Sequence, residues 1–423
     1  MKKLKVILIG AGLRGMIYTD VMKTLSDKFE VVAVAEPVES RRNYIKEKHN
    51  LSDDMCFSDY KEILALGKIA DVAIISTMDL EHLDASIEAI KLKYDLLLEK
   101  PIAPNAKDCK LITDCAIENN VKVVICTVLR YTDIFIKLKE IIDSGKIGKI
   151  MSINHEECVG NVHQSHSFVR GNWGNAEKSS EMLVQKSCHD MDILQWLIGK
   201  KCKKVQSFGT LSYFTKENAP NGSPEYCIEG CPVGDTCPYN AVKLYLEEKD
   251  NSWFRPAAAK EHNPDDEMVK AAISNTQYGK CVFKCDNTVV DHQTVNLLFE
   301  DDITVTFTMN AFNKGGRYIH IMGTKGEIRA AIDNESPIEV YNIENGEKEI
   351  FDIVGKDGMS GGHAGGDLGI ITSLYEYLTG TYEGKSIPEI GESYYNHLIT
   401  FAAEEARKKG TIIDIEEYEK SIG

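Results

Sequence analysis

The chain has 423 residues, 43% of them apolar, with 65 acidic against 49 basic side chains and a formal charge of −16. That length predicts two domains with an insertion and supports a sizeable core. The negative field disfavours nucleic acid and anionic lipid surfaces as partners, and no apolar run approaches membrane-spanning length. The opening "MKKLKVILIGAG" has the lysines and apolar start of a signal peptide. The run breaks at glycines with no small-residue cleavage site behind it, so a cytoplasmic protein is expected.

Residues 5–9, "KVILI", predict a strand buried on both faces. "GAGLRG" follows, with Gly10, Gly12 and Gly15 enclosing Leu13 and Arg14, and a helix runs on from Met16. A second strand over 29–36 ends in Glu36. This is G-x-G-x-x-G between strand and helix with an acid about twenty residues on, the dinucleotide fingerprint. The glycines permit a tight turn and let backbone N–H groups approach a pyrophosphate at a helix start. Glu36 would accept hydrogen bonds from a ribose diol and repel a 2′-phosphate. NAD is therefore expected rather than NADP, a preference that Arg41 and Arg42 weaken.

The alternation continues with strands over 71–77, 94–101 and 121–127 and helices over 80–91 and 105–119. Such a pattern predicts a doubly wound parallel sheet with ligands at the carboxyl ends of its strands. Thr77 and His82 lie at one such end, Glu99, Lys100 and Pro101 at another. A lysine on that rim could hold a substrate hydroxyl and stabilise a developing alkoxide.

At "GAGLRG", "STMDLEH" and "LLLEKP" together the sequence resembles the Gfo/Idh/MocA family of NAD(P)-dependent oxidoreductases. The resemblance implies an N-terminal Rossmann domain and a C-terminal α/β domain with an open, mainly antiparallel sheet. It also implies a sugar, inositol or related polyol as substrate, and Gly10, Gly12, Leu13, Arg14, Gly15, Glu36, Thr77, His82, Glu99 and Lys100 at the cofactor. "LRYTDIFIKLKEIIDSGKIGKI" is similar to the family's crossover helix, and "TMNAFN" with "GRYIHIMGTKGEI" resembles hairpin strands of the second sheet. The expected domains are 1–128 and 129–423, the latter carrying a cysteine-rich insertion at about 214–288. A small-molecule sugar, polyol or glycoside and a homo-oligomer, dimer or tetramer, are the expected partners.

In "LVQKSCHDMDIL", Met191, Leu194, Leu197 and Ile198 recur at helical spacing and predict a helix over 188–198. Ser187 and Asp190 have the spacing of a capping box, which would put His189 in the first turn. His189 aligns with the family's catalytic histidine, and a helix N-terminus would keep its ring neutral and available as a base. Where many sugar dehydrogenases of the family carry an aspartate, this chain has Gln185, followed by Lys186. Gln185 cannot titrate, so proton transfer shifts towards His189, helped by Lys100 and Lys186.

Most of the twelve cysteines are scattered and read as small core residues, but five cluster in sequence. Cys227, Cys231 and Cys237, with Cys281 or Cys285 about forty residues on, could hold a structural zinc that staples a loop too irregular to fold alone. An iron–sulfur cluster or a set of buried thiols are the alternatives. Arg130, Tyr131, Arg170, Asn172, Trp173, Asp291, His292, His363 and Asp367 are candidates to line the substrate cleft. The leading expectation is an NAD-dependent oxidoreductase acting on a secondary alcohol. A redox-neutral NAD-dependent glycosidase and a non-catalytic NAD or sugar sensor are the alternatives.

Overall fold

The computed structural model describes residues 2–248, 253–332, 336–353 and 365–423. The first half builds six strands, β1 (Leu4–Ile9), β2 (Phe29–Ala35), β3 (Cys56–Phe57), β4 (Val72–Ile75), β5 (Asp95–Leu98) and β6 (Val123–Ile125). They pair in parallel in the order β3-β2-β1-β4-β5-β6, the doubly wound arrangement. Val6, Ile7, Leu8 and Ile9 are fully buried because β1 is central and both sheet faces are covered. The core on one face also draws Ile370, Ile371, Leu374 and Tyr375 from the helix Gly366–Thr379, far along the chain.

The second half builds nine strands, β7 (Ile150–Cys158), β8 (Cys202–Thr210), β9 (His292–Phe299), β10 (Thr304–Asn310), β11 (Gly316–Gly323), β12 (Gly326–Ala331), β13 (Ile338–Asn342), β14 (Lys348–Phe351) and β15 (Ile413–Asp414). Their order is β14-β13-β12-β11-β7-β10-β9-β8-β15, and only β7 and β10 pair in parallel. This is the open, mainly antiparallel sheet expected beside the Rossmann half. On β7, Ile153 is buried beside His155 and Glu157, so the covered face admits charge where it nears the other half. The opposite face leaves Met151, Phe208, Tyr318 and Tyr341 exposed.

The helix Met182–Ile198 lies between the two halves, and every residue but Lys186 is buried. It starts six residues earlier than its apolar spacing predicts, behind Glu181 rather than Ser187. The capping box does not form. Ser187 Oγ meets Met309 Sδ at 3.3 Å, and Asp190 is spent on Arg317 and His155. His189 thus sits in the third turn, beyond the reach of the helix-terminal field.

The insertion between β8 and β9 carries helices Phe254–Ala259 and Asp266–Asn275, the second capped by Asp265. Leu244, Tyr245, Phe254, Val269, Ile273 and Tyr278 give it an apolar cluster of its own. Among the described residues no helix is long and apolar enough to cross a membrane.

Candidate functional site

The turn after β1 is shaped by close backbone approach. Gly10 has φ +89°, and a Cβ on Gly15 would stand 2.2 Å from the Gly10 carbonyl oxygen. A Cβ on Gly12 would meet nothing within 4 Å, so open space lies where the helix Leu13–Thr24 begins without a side-chain cap. Leu13 is exposed at that helix start. Uncapped first-turn N–H groups facing open space are what a pyrophosphate requires. Thr77 Oγ1, at the end of β4, is buried without a hydrogen-bond partner among the described residues. The residues fit a dinucleotide.

Glu36 is buried at the end of β2. Its carboxylate accepts from Ala11 N at 2.7 Å and Val38 N at 2.9 Å, fixing it beside the glycine turn. His82 has Nδ1 2.9 Å from the Pro101 carbonyl and Nε2 3.3 Å from that of Thr77. It ties two strand ends together at the rim of the sheet. Arg14 reaches the Glu99 carboxylate at 3.1 Å and the Tyr18 hydroxyl at 2.6 Å, and also pairs with Asp367. Glu99 is fully buried, which alone would raise its pKa. The neighbouring Arg14 and Lys100 charges outweigh burial and hold its carboxyl below the ordinary value.

Lys100 leaves the end of β5 and meets the Met182–Ile198 helix. Its ammonium donates to the Gln185 carbonyl at 2.7 Å. With its side-chain oxygen turned towards them, Gln185 also accepts from Lys100 Nζ at 3.1 Å and Trp173 Nε1 at 3.2 Å. His189 lies one turn beyond Gln185 on the same helix face. Lys186 and Asp190 form the adjacent face, against β7 and β11. There Lys186 Nζ is 3.4 Å from Glu157, and Arg317 pairs with Glu157 and, at 3.0 Å, with Asp190. Asp190 also meets His155 Nε2 at 2.9 Å.

Burial pushes the Lys186 pKa down; Glu157 opposes this, while Arg317 and Lys100 add to it. Asp190 is driven the other way. Despite burial, Arg317 and the His155 contact lower its carboxyl to about 2. His163 was not anticipated from sequence. Burial, with Lys186, His166, Arg317 and Lys100 nearby, holds its imidazole well below the ordinary value and therefore neutral. It lies in the helical segment running from Asn161–His163 into Gln164–Arg170. Its neighbours in "NVHQSH" form no motif that could have flagged it.

Several expected cleft residues are committed elsewhere. Arg130 is 1% exposed and pairs with Asp192 at 2.7 and 2.8 Å and with Glu392 at 2.7 Å. Tyr131 is packed into the core of the nucleotide half. Arg170 donates to the carbonyls of Lys280 at 2.8 Å and Tyr239 at 2.6 Å, pinning the insertion rather than facing substrate. Asp291 holds the start of the insertion by accepting from Ser212 N and Tyr213 N, with His292 beside it at 2.7 Å. Asn172 contacts Met78, Asp367 serves Arg14, and His363 lies outside the described residues. Trp173 alone of this group meets Gln185.

Cys227, Cys231, Cys237 and Cys281 line one small cavity with Arg170, and Cys285 Sγ donates to the Cys281 carbonyl at 3.4 Å. Among the described residues, no three His, Cys, Asp or Glu side chains are grouped as metal ligands. The expected zinc or iron–sulfur set is therefore not formed. The reason for expecting a staple also falls away, since the insertion has its own core. Burial raises the pKa of Cys237 and Cys281, and pushes Cys285 up to about 12, so these remain protonated thiols.

Residues 4–127 match the family model described as "Oxidoreductase family, NAD-binding Rossmann fold", and residues 139–415 match "Oxidoreductase family, C-terminal alpha/beta domain". Over 413 residues the chain is 24% identical to the oxidoreductase YteT of Bacillus subtilis, covering 90% of this chain and 92% of that protein. It is 27% identical over 198 residues to inositol 2-dehydrogenase of Salmonella paratyphi B, covering 46% of this chain and 55% of that protein. The chain thus spans about half of that dehydrogenase's length. Scyllo-inositol dehydrogenase of Lactobacillus casei, solved with NAD(H) and scyllo-inositol, superposes with a TM-score of 0.66 at 17% identity, over 98% of this chain and 100% of that one. An oxidoreductase of Agrobacterium radiobacter, solved with NAD+, L-tartaric acid and magnesium, gives 0.69 at 15% identity, over 98% and 99%.

Proposed function

Since the chain belongs to the Gfo/Idh/MocA oxidoreductase family, we propose that it interconverts a secondary alcohol and a ketone on a sugar, polyol or glycoside with NAD. The observation that carries this reading is the meeting of Lys100, at the nucleotide-facing rim, with the helix that bears Gln185, Lys186 and His189. Bound NAD would supply the hydride acceptor. Gly10, Gly12, Leu13 and Gly15 would cradle its pyrophosphate, Glu36 its ribose, and Thr77 would donate to it, with Arg14 holding Glu99 in place behind the site.

Lys100 would donate to the substrate oxygen and stabilise the alkoxide as charge develops. His189 would take the hydroxyl proton, with the desolvated Lys186 amine as its neighbour in that task. Lys100→Ala and His189→Ala are each expected to lower turnover by about 100- to 10,000-fold. NAD binding, followed by protein fluorescence, should persist in both. Full turnover in either variant sinks the assignment.

One observation favours a second reading. Position 185 carries an amide bonded to Lys100 and Trp173, and a lysine of lowered pKa follows it. A basic amine there suits removal of a proton from carbon after transient ring oxidation, as a redox-neutral glycosidase requires. Release of aglycone from a glycoside without net NADH would select this reading over the first.

Two further expectations accompany the proposal. The apolar residues exposed on the open sheet face suit pairing of copies into a homo-oligomer. Twelve cysteines without a disulfide suit a reducing cytoplasm.

A further inference from the structure

The insertion does more than cover its own thiols; it reaches back to the nucleotide half beside Glu36. We propose that its segment 256–262 forms the outer wall of the adenosine site and makes the protein reject a 2′-phosphorylated dinucleotide. The inference rests on the dinucleotide reading given above.

Glu36 directly follows β2, and the helix Glu39–His49 begins three residues later, with Ser40 and Arg41 in its first turn. In a dinucleotide-binding sheet the acid after the second strand meets the ribose 2′ position, and an arginine close behind it accommodates a 2′-phosphate when one is present. By sequence, Arg41 and Arg42 are such arginines. In the fold neither serves that purpose. Arg41 Nη2 donates to the Pro256 carbonyl at 3.2 Å, drawing its guanidinium onto the insertion. Arg42 Nη1 bonds the carbonyl of Glu36 and, at 3.3 Å, that of Pro37, bracing the strand end instead.

An anion already occupies the head of this helix. Ser40 Oγ donates to the Glu261 carboxylate, and His262 N donates to Ser40 Oγ at 3.3 Å. The His262 ring lies against Tyr44 with centroids 4.0 Å apart, which locks the segment in register. A ribose with a free 2′-hydroxyl meets two carboxylates, Glu36 and Glu261, that can accept from it. A 2′-phosphate would meet both as like charges, with Arg41 and Arg42 bonded elsewhere.

The test is equilibrium binding of NAD+ and of NADP+ to the purified full chain, by titration calorimetry. The wild type should bind NAD+ at least about 100-fold more tightly, because like charges at close range cost several kcal/mol. Glu261→Gln, which keeps the shape and a hydrogen-bond acceptor, should strengthen NADP+ binding about tenfold and so lower the NAD+/NADP+ affinity ratio. Arg41→Ala should leave NADP+ binding within about threefold, since the guanidinium is held by Pro256. The proposal is overturned if Glu261→Gln leaves the NAD+/NADP+ ratio unchanged, or if Arg41→Ala abolishes residual NADP+ binding. A wild type that binds neither dinucleotide overturns the function reading itself, a result distinct from an unchanged ratio.

Discussion

Two buried sets of charges flank the Met182–Ile198 helix, and they differ in kind. Around Arg130 the set is closed: two bonds to Asp192, one to Glu392, and a further donation from Asn396 to Asp192 at 2.6 Å. Around Lys186 it is open: Lys100, Lys186 and Arg317 crowd the two carboxylates of Glu157 and Asp190. In the closed set each carboxylate faces the Arg130 guanidinium directly. The open one has a cation to spare, and burial lowers the pKa of Lys186 within it. Buried ions alone therefore do not distinguish the two sets; the imbalance of charge does, and imbalance of that kind is the commoner mark of a functional site.

That contrast can be broken by substitution. Arg130→Met leaves Asp192 buried and charged without its principal partner, and is expected to cost about 3–5 kcal/mol in denaturant unfolding. If the protein tolerates it within 1 kcal/mol or so, the set is not the closed structural unit its geometry implies.

Lys186→Met should do the reverse, lowering turnover about 100-fold while the fold survives, because Glu157 keeps Arg317. Its stability signature has a definite sign. Folding lowers the Lys186 pKa below its ordinary 10.5, so the unfolded chain binds the proton more tightly. Protonated Lys186 thus costs stability at low pH, and the cost fades as pH rises through the lowered value towards 10.5. Lys186→Met should raise the unfolding midpoint at neutral pH and flatten that rise. A midpoint that falls at every pH would mean the amine is a structural ion.

Asp190→Asn is the mildest of the three. The carboxyl is lowered from 3.8 to about 2, so its contribution is present above pH 3.8 and is lost as pH falls through about 2. The variant should unfold with a smaller acid-induced decline across that window. An unaltered acid limb would place the stabilisation elsewhere.

The nucleotide half was readable because parallel strands buried on both faces leave continuous apolar runs, and because its glycines answer to a backbone requirement at Gly10 and Gly15. β3 escaped notice since two residues, Cys56 and Phe57, carry no period. The helix start is hidden from the sequence for a physical reason. Leu183 and Val184 are buried along with residues on every other side of the helix, so no amphipathic onset marks it, while Ser187 and Asp190 imitate a cap by spacing alone. Arg130 looked like a ligand contact because its partners stand 62 and 262 residues away, a separation no local pattern reveals. Lys186 was legible as an oddity beside Gln185, but its meaning depends on Glu157 and Arg317, which come from two other strands.

The helix Gly366–Thr379 contributes Ile370, Ile371, Leu374 and Tyr375 to the same core as Leu4, Val6 and Leu8. A nascent chain therefore cannot complete its first half when that half leaves the ribosome. An apolar surface waits, through the synthesis of the whole second sheet, for a helix made near the end. Until then the glycine turn and its strands rest on an unfinished core, whose exposed apolar surface invites misassembly. The nucleotide half is thus complete only once a helix about 240 residues beyond its last strand has docked.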